Sequence, residues 1–142
     1  MHVVRLASAC DIDGLMHCDP RARSDPGRRA LVARAADEGG CLVAELDGEP
    51  LGFLVLEYSF FGHGFIALVC VAERHRRRGI AERLMKAAEM HCRTPKLFTS
   101  TNVSNRRARA LFEKVGFVPT GWVENLDEGD PELIYFKSVA TP

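Results

Sequence analysis

Short apolar runs alternate with amphipathic helical patterns along the chain, and this alternation constrains the fold more than any other feature. Gly, Pro and Asp residues separate the runs from the helical segments. Strands are predicted at residues 3–6, 41–46, 51–58, 65–71, 96–101, 118–123 and 133–137. Helices are predicted from residue 11 or 13, and at residues 26–38, 80–92 and 105–115. This order indicates an α/β or α+β protein with a mostly antiparallel central sheet flanked by helices.

Local signals refine this outline at the turns and in one helix. Asp47-Gly48 joins two apolar runs as a hairpin, and Gly62-His63-Gly64 predicts a second turn. The helix at 80–92 is expected to bury one face. That face is predicted to carry Ile80, Leu84, Ala87, Ala88 and His91.

Length and composition indicate one ordinary globular domain spanning residues 1–142. The chain is 46% hydrophobic and 27% charged, which is typical of a folded soluble protein. It has no apolar run long enough to cross a membrane and no recognisable signal peptide, so a cytoplasmic location is expected. Its five cysteines are odd in number and lack C-x-x-C spacing. We therefore expect buried free thiols, with no metal site and no disulfide framework.

The zero net charge is an average over segments of unlike charge. Residues 35–73 contain seven acidic residues and no Lys or Arg, whereas residues 74–114 contain twelve basic residues and three acidic ones. Residues 115–142 contain one basic and five acidic residues. Clustered charge attracts ligands of opposite sign locally, so the basic block favours an anionic ligand.

A strand, an arginine-rich loop and a glycine that opens a helix follow one another at residues 69–81. The first amides of a helix have no internal partner and point toward its positive end. Gly79 has no side chain to block an anion, and three arginines precede it. This arrangement suits a pyrophosphate, although it contains neither a P-loop nor a G-x-G-x-x-G motif. The alternative is a solvated loop with an ordinary turn.

Two motifs in this basic block resemble those of the GNAT superfamily of acetyl-CoA-dependent N-acetyltransferases. Arg76-Arg77-Arg78-Gly79-Ile80-Ala81 is similar to the family's Q/R-x-x-G-x-G/A signature. Residues 105–117 resemble its N-x-x-A-x-x-L-Y-x-x-x-G-F helix. The motifs occur in the family's order, separated by one helix and one strand, and the likeness extends over essentially the whole chain.

The resemblance implies a GNAT-like fold, acetyl-CoA as co-substrate and no metal. In the family, free strand amides bind the pantetheine arm, helix-opening amides bind the pyrophosphate, and an amide near Val69 or Val71 stabilises the oxyanion. The Asn at the start of the second motif reaches the cofactor, although Asn is also a favoured N-cap residue. The implied cofactor contacts are Val69, Cys70, Val71, Arg76, Arg77, Arg78, Gly79, Ile80, Ala81, Glu82, Asn105 and Phe112.

The sequence departs from the family at both proton-transfer positions. Phe112 stands where the family usually has a Tyr general acid, and Ala67 stands where many relatives have a Glu base. Without an acid, the thiolate leaves unprotonated, which costs about 2 kcal/mol near pH 7. In place of the usual tyrosine, Tyr135 or water is considered as the acid that protonates the departing thiolate. For the base we favour Glu57, with Tyr58 and His63 as alternatives.

The expected acceptor is a small-molecule or peptide amine that attacks the thioester directly in a ternary complex. Residues 124–132 contain five acidic residues, which favours a cationic acceptor but is also typical of a solubilising loop. The alternative function is a GNAT-like module that binds acetyl-CoA with little catalysis. Nucleic acid is not expected as a partner because aromatic residues do not interleave with the arginines, and no membrane partner is expected. Both a monomer and a homodimer fit the sequence.

Overall fold

A computed structural model describes residues 2–140, which form one seven-stranded sheet with helices on both faces. The strand order is β1-β2-β3-β4-β5-β7-β6, and every neighbouring pair except β4 and β5 is antiparallel. The strands are β1 (Val3–Leu6), β2 (Cys41–Leu46), β3 (Glu49–Phe60), β4 (His63–Val71), β5 (Lys96–Asn102), β6 (Val118–Val123) and β7 (Glu132–Ser138). The helices are α1 (Ile12–Cys18), α2 (Pro26–Asp37), α3 (Ile80–His91) and α4 (Arg106–Lys114), with 3-10 turns at Ala9–Asp11 and Glu73–His75. The mixed, mostly antiparallel class predicted from the sequence is confirmed.

Two tight turns build the β2–β3 and β3–β4 hairpins. Each is a two-residue turn with positive φ at both positions, 51° and 81° at Asp47-Gly48 and 53° and 79° at Phe61-Gly62. This geometry matches the twist of paired strands. The turn predicted at residues 62–64 is therefore displaced, because His63 and Gly64 already belong to β4. A side chain at Gly64 would lie 2.5 Å from the Cys92 sulfur.

Strands β4 and β5 pair in parallel only at the beginning of β4 and then diverge. The pairing runs from Gly64 opposite Leu97 to Ile66 opposite Thr99. The Thr99 hydroxyl donates to the Ile66 carbonyl at 3.0 Å, closing the last pair. Ala67 is the extra residue of a β-bulge against β3, which alters the direction of β4 just beyond that point. Beyond the bulge the sheet is open between its fourth and fifth strands.

The core has one layer on each face of the sheet. Helices α1 and α2 cover a cluster that includes Val43, Phe53 and Val55. Helices α3 and α4 belong to the cluster on the other face, which includes Leu54 and Leu84. The separation follows from the strand period of two, which sends successive side chains of β3 to opposite faces. The open part of the sheet is therefore accessible from between two packed layers.

Two details of the predicted burial are wrong. His91 is exposed at the end of α3, and Met85 is fully buried there instead. The imidazole Nδ1 lies 3.0 Å from the Ala87 carbonyl at the helix end. Among the five thiols, Cys18, Cys41 and Cys92 are buried as expected, but Cys10 is exposed and Cys70 is half-buried.

No helix within residues 2–140 is long and apolar enough to cross a membrane.

Candidate active site

The divergence of β4 and β5 opens a cleft of about 970 Å³. Residues 67–71 of β4 form one wall and residues 100–102 of β5 form the opposite one. The loop before α3 and the start of α4 line one end of the cleft, and the connection between α1 and α2 lines another part of it. All of these segments meet only in the folded chain, because they come from positions between residues 19 and 132.

One edge of β4 faces the cleft with its backbone groups unpaired. The other edge pairs with β3, so that Val69 lies opposite Leu54 and Val71 opposite Gly52. Toward β5, no strand among the described residues pairs with β4 beyond Ile66. An unpaired strand edge offers N–H and C=O groups to an extended ligand. An extended ligand that contains amides can therefore hydrogen-bond to this edge of β4 as an additional β-strand would.

The end of the cleft at α3 is built to hold an anion. Gly79 is the N-cap of α3 with φ of 75°, and Arg77 also has a positive φ of 66°. Residues of this conformation turn successive backbone N–H groups toward one point. No side chain within residues 2–140 caps the start of α3. The first amides of the helix, which no backbone carbonyl can satisfy, are thus available to a ligand.

Cationic side chains surround this helix start. The basic residues that line the cleft there are His75, Arg76, Arg77, Arg106, Arg107 and Lys114. Glu82 lies among them, with its carboxylate 3.3 Å from the Lys114 ammonium and 3.4 Å from that of Lys86. Its hydrogen bond with Lys114, more than any other contact, lowers the pKa of Glu82. The electrostatic field at this end is therefore strongly positive.

Most of the residues implied as cofactor contacts line this cleft. They are Val69, Cys70, Val71, Arg76, Arg77, Gly79, Ile80, Ala81, Glu82, Asn105 and Phe112. Arg78 does not line it, and its guanidinium lies 3.5 Å from His75 Nδ1 instead. Asn105 is the N-cap of α4, since its side-chain oxygen accepts from the Ala108 amide at 3.1 Å. Its side-chain amide nitrogen is left to meet a ligand.

Glu57 does not reach the cleft. It lies on β3 opposite Phe65, at the end of β4 where β4 and β5 are still paired. Its carboxylate accepts a hydrogen bond from the Ser59 hydroxyl. Glu57 is close to the basic motif in the sequence. In the antiparallel β3–β4 hairpin, however, it lies at the end of the strands far from that motif. The choice of Glu57 as base is therefore not supported by its position.

Tyr135 folds inward, but its hydroxyl is directed away from the cleft lining. The side chain is fully buried, and its hydroxyl donates to Glu113 Oε2 at 3.0 Å. Burial raises the pKa of Tyr135. Its ring packs edge-on against Phe112, which itself lines the cleft. Tyr135 thus packs behind Phe112 and is not placed to give a proton to a departing group.

The carboxylate that does reach the open part of the cleft is Glu132, which sequence reasoning missed. It begins β7, is half-buried, and accepts from the Ser100 hydroxyl at 2.7 Å. The other two carboxylates of the lining are bound to cations, Asp19 to Arg28 and Glu82 to Lys114. No ion pair involves Glu132 within the described chain. The sequence signal was its place at the end of an acidic loop.

Two of the remaining acids of that loop, Asp127 and Asp130, secure the loop itself. Asp127 accepts from the Asn102 side chain at 2.8 Å, and Asp130 accepts from the Ser104 hydroxyl at 2.6 Å. These contacts hold the β6–β7 loop against the segment between β5 and α4. Of the loop's five acidic residues, Glu132 alone lines the cleft in the part of the chain that the structure describes.

The arrangement combines an unpaired strand edge, an uncapped helix start and a carboxylate across the opening. A family model described as the acetyltransferase (GNAT) family matches residues 6–117. The chain belongs to the GNAT family. The cleft of this GNAT protein contains no cluster of three or more metal-ligating side chains, nor does the rest of residues 2–140.

Individual relatives agree with this assignment. A GNAT acetyltransferase from Bacillus cereus ATCC 10987 is 38% identical, with a TM-score of 0.92 and 99% of each chain covered. An acetyltransferase from Bacillus anthracis, crystallised with acetyl coenzyme A, is 22% identical with a TM-score of 0.63, covering 69% of this chain and 61% of its own, and shows a shared fold alone. N-alpha-acetyltransferase 30 of Xenopus laevis is 31% identical over 87 residues. That match covers 55% of this chain and only 31% of the relative.

Proposed function

We propose that this chain transfers an acetyl group from acetyl-CoA to a primary amine by direct attack in a ternary complex. The observation that carries the proposal is the unpaired edge of β4, which leads to the uncapped, cation-lined start of α3. One feature suits the amides of a pantetheine arm and the other suits a pyrophosphate. The names of the relatives support the same chemistry.

The cleft offers groups suited to the pantetheine arm, the pyrophosphate and the thioester of acetyl-CoA. Backbone groups at residues 69–71 would bind the pantetheine arm, and the amides at residues 77–81 would bind the pyrophosphate. A Cβ added at Gly79 would meet no protein atom within 4 Å, so the space above it is open to a ligand. Asn105 has its amide nitrogen free to donate from the start of α4. Acetyl-CoA supplies an activated thioester, and a β4 amide near Val69 would stabilise the oxyanion.

Glu132 is the group that we assign to the amine. Its carboxylate would hold the ammonium and accept its proton, while Ser100 orients it from 2.7 Å. Freeing an N-terminal amine of pKa near 8 costs about 1 kcal/mol at pH 7, whereas a lysine amine costs nearly 5 kcal/mol. A single half-buried carboxylate is suited to the smaller cost. An α-amine is therefore a better acceptor than a lysine side chain.

No cleft side chain replaces the missing tyrosine as an acid toward the thiolate. Phe112 has no proton to give, and the Tyr135 hydroxyl is engaged by Glu113. The leaving thiolate would take its proton from water or from the amine, at a cost of about 2 kcal/mol. The expected reaction is correspondingly slow, but the chain's architecture does not prevent it.

The test is an assay of thiol release from acetyl-CoA with a panel of amines and peptides, with the acetylated product identified by mass spectrometry. Release with at least one amine is expected. Binding of acetyl-CoA without release from any amine would favour the alternative, a binding module without catalysis. Absence of acetyl-CoA binding would contradict both functions.

Replacing Glu132 by Gln tests the assignment of the base. We expect kcat to fall by about 100-fold at pH 7, with unchanged affinity for acetyl-CoA, because the amide cannot accept the proton. Glu128→Gln is the matched control, since Glu128 lies on the same loop outside the cleft. Equal rates for the two variants would contradict the role of Glu132.

A further inference from the structure

We propose that the cleft selects amines that also carry an anionic group, which Arg21 and Arg28 bind while the amine lies at Glu132. This inference rests on the proposed function and specifies its acceptor. Arg21 and Arg28 come from the segment between α1 and α2 and line the same cleft as Glu132. None of the motifs that indicated the cofactor site contains them.

Arg28 is held rigidly at the cleft wall by a buried partner. The side chains of Asp19 and Arg28 are 1% and 12% exposed, and Asp19 Oδ2 lies 2.9 Å from Arg28 Nε. The contact is ionic rather than an aligned hydrogen bond. Asp19 Oδ1 also accepts from the Arg21 backbone amide at 2.9 Å. A guanidinium has five N–H donors in a fixed plane, so its terminal nitrogens remain for a carboxylate or phosphate.

Arg21 gives this wall a net positive charge. Its side chain is exposed and lines the cleft, and it forms no ion pair within residues 2–140. Asp19 neutralises one of the two arginines, which leaves one unit of positive charge beside the open cleft. Two neighbouring guanidinium groups with one uncompensated charge between them are suited to binding a planar anion.

The two arginines lie on the sheet face opposite to α3. They come from the α1–α2 side, where Cys70 packs with the cluster of those helices. Helix α3 packs on the other face through Ile80 and Leu84. Asp19, Arg21 and Arg28 line the same cleft as Cys70, which places them beside this part of β4. They are therefore separate from the cations at the α3 start.

Glu132 lies across the cleft on this same face. Thr101 on β5 and Leu133 on β7 are buried, and successive side chains of a strand point to opposite faces of the sheet. Their neighbours Ser100 and Glu132, which are hydrogen-bonded to each other, therefore project to the α1–α2 side. One negative group and a net positive group thus face each other across one opening. The complement of that pattern is a molecule with an ammonium and an anion, such as a small amino acid or a peptide N-terminus next to an acidic residue.

Matched acceptor pairs test this inference with the thiol-release assay at low salt. The small-molecule pair is the α-amide of aspartic acid and the α-amide of asparagine, which both offer an α-amine, and the peptide pair is Ala-Asp-Ala-amide and Ala-Asn-Ala-amide. Each pair differs chiefly in one negative charge. We expect kcat/KM for the anionic member to be at least about tenfold higher in one pair or in both, and the responding pair identifies the source of the anion.

Two arginine variants connect this preference to the structure. Arg21→Ala is expected to bring the ratio between anionic and neutral acceptors close to one. Arg28→Lys, which keeps the charge but loses the planar guanidinium, is expected to lower that ratio. Both variants should keep an unchanged KM for acetyl-CoA. The lysine at position 28 keeps a charge beside the buried Asp19, and a thermal melt checks that the variant folds. Arg29→Ala is the matched control, because Arg29 is on α2, pairs with exposed Asp13 and does not line the cleft.

Each outcome bears on one claim. Equal or better turnover of the neutral member in both pairs would overturn the inference and leave the proposed function intact. A loss of acetyl-CoA affinity in Arg21→Ala would assign the arginine to the cofactor and also overturn it. No turnover of any amine by the wild-type protein would count against the proposed function itself.

Discussion

At the scale of single residues, Cys70 is the group that would compete with the acceptor for the acetyl group. It lines the cleft on β4, beside the backbone edge proposed to hold the pantetheine arm. Burial raises the pKa of its thiol to about 12. Only about 10⁻⁵ of the thiol is ionised at pH 7, and the thiolate is the nucleophilic form. We therefore expect no covalent acetyl-enzyme as a step in turnover.

Cys70→Ala is accordingly expected to keep kcat within about threefold of the wild-type value. Initial rates of thiol release measure this, and intact-protein mass spectrometry of the wild type mixed with acetyl-CoA should show no added acetyl group. A loss of 100-fold or more, together with an acetylated wild-type enzyme, would show that Cys70 takes the acetyl group.

Some residues of the cleft belong to local sequence motifs, whereas others reach it only through the pairing of distant strands. Gly79 and Asn105 could be placed from sequence because each acts within its own loop or helix start. Glu132 could not, because it reaches the cleft through the pairing of β7 with β5. Glu57 was misplaced for the same reason, since its position depends on the direction of a hairpin strand. Long-range pairing leaves no local trace in the sequence.

At the scale of elements, the start of α3 carries the anion site. Gly79 adopts a positive φ that costs an L-residue about 1–2 kcal/mol, and its absent side chain leaves open space. Both properties matter at this position. The strain affects folding, whereas the open space affects only a ligand.

Gly79→Ala separates these two effects when compared with Gly48→Ala. Gly48 also has a positive φ, of 81°, and open space, but it lies in the β2–β3 turn outside the cleft. Both variants should lose about 1–2 kcal/mol of unfolding free energy in urea. We expect only Gly79→Ala to weaken acetyl-CoA binding, by about tenfold or more in calorimetry. Equal affinity in the two variants would contradict a pyrophosphate site at Gly79.

Element positions were largely predictable, but their exact boundaries and pairing were not. Hydrophobic periodicity indicated the strands and helices because burial on one face imposes it locally. The displaced turn at Phe61-Gly62 and the bulge at Ala67 depend on how β3 and β4 align. That bulge lies at the position where the resemblance to the family implied a glutamate base. The sequence thus indicated the bulge that opens the cleft only through an alanine in place of the expected glutamate.

At the scale of the whole molecule, charge is segregated although the total is zero. Cations gather at the α3 end of the cleft, and Glu132, Arg21 and Arg28 also line it. The acidic loop, by contrast, uses Asp127 and Asp130 to fasten itself to neighbouring backbone and side chains. Segment charges therefore indicated the cationic end of the cleft, but they did not indicate which acidic residue lines its open part.

The stability of the whole fold depends on pH through the ion pairs of β1. Asp11 and Glu45 both bind Arg5, and the hydrogen bond from Arg5 is the main cause that lowers the pKa of Asp11 to about 2. A carboxyl with a lowered folded-state pKa stabilises the fold above its unfolded value near 4. This contribution is lost as the pH falls from about 4 to 2.

Asp11→Asn should therefore lower the unfolding free energy by about 1 kcal/mol at pH 7, because solvent weakens the half-exposed pair. It should also flatten the decline in stability between pH 4 and 2, measured by urea unfolding at a series of pH values. Asp37→Asn, at the exposed end of α2, is the control. An unchanged pH dependence in Asp11→Asn would rule out this ion pair as a cause of acid sensitivity.

Hydrogen–deuterium exchange of the backbone amides, measured with and without acetyl-CoA, reports directly whether this cleft binds the cofactor. With acetyl-CoA bound, we expect slower exchange at residues 69–71, where β4 is unpaired toward the cleft, and at residues 77–81, where α3 begins. Helix α2 beyond its first turn should exchange at the same rate in both states. Slower exchange confined to other segments, or no difference at all, would contradict the assignment of this cleft to acetyl-CoA.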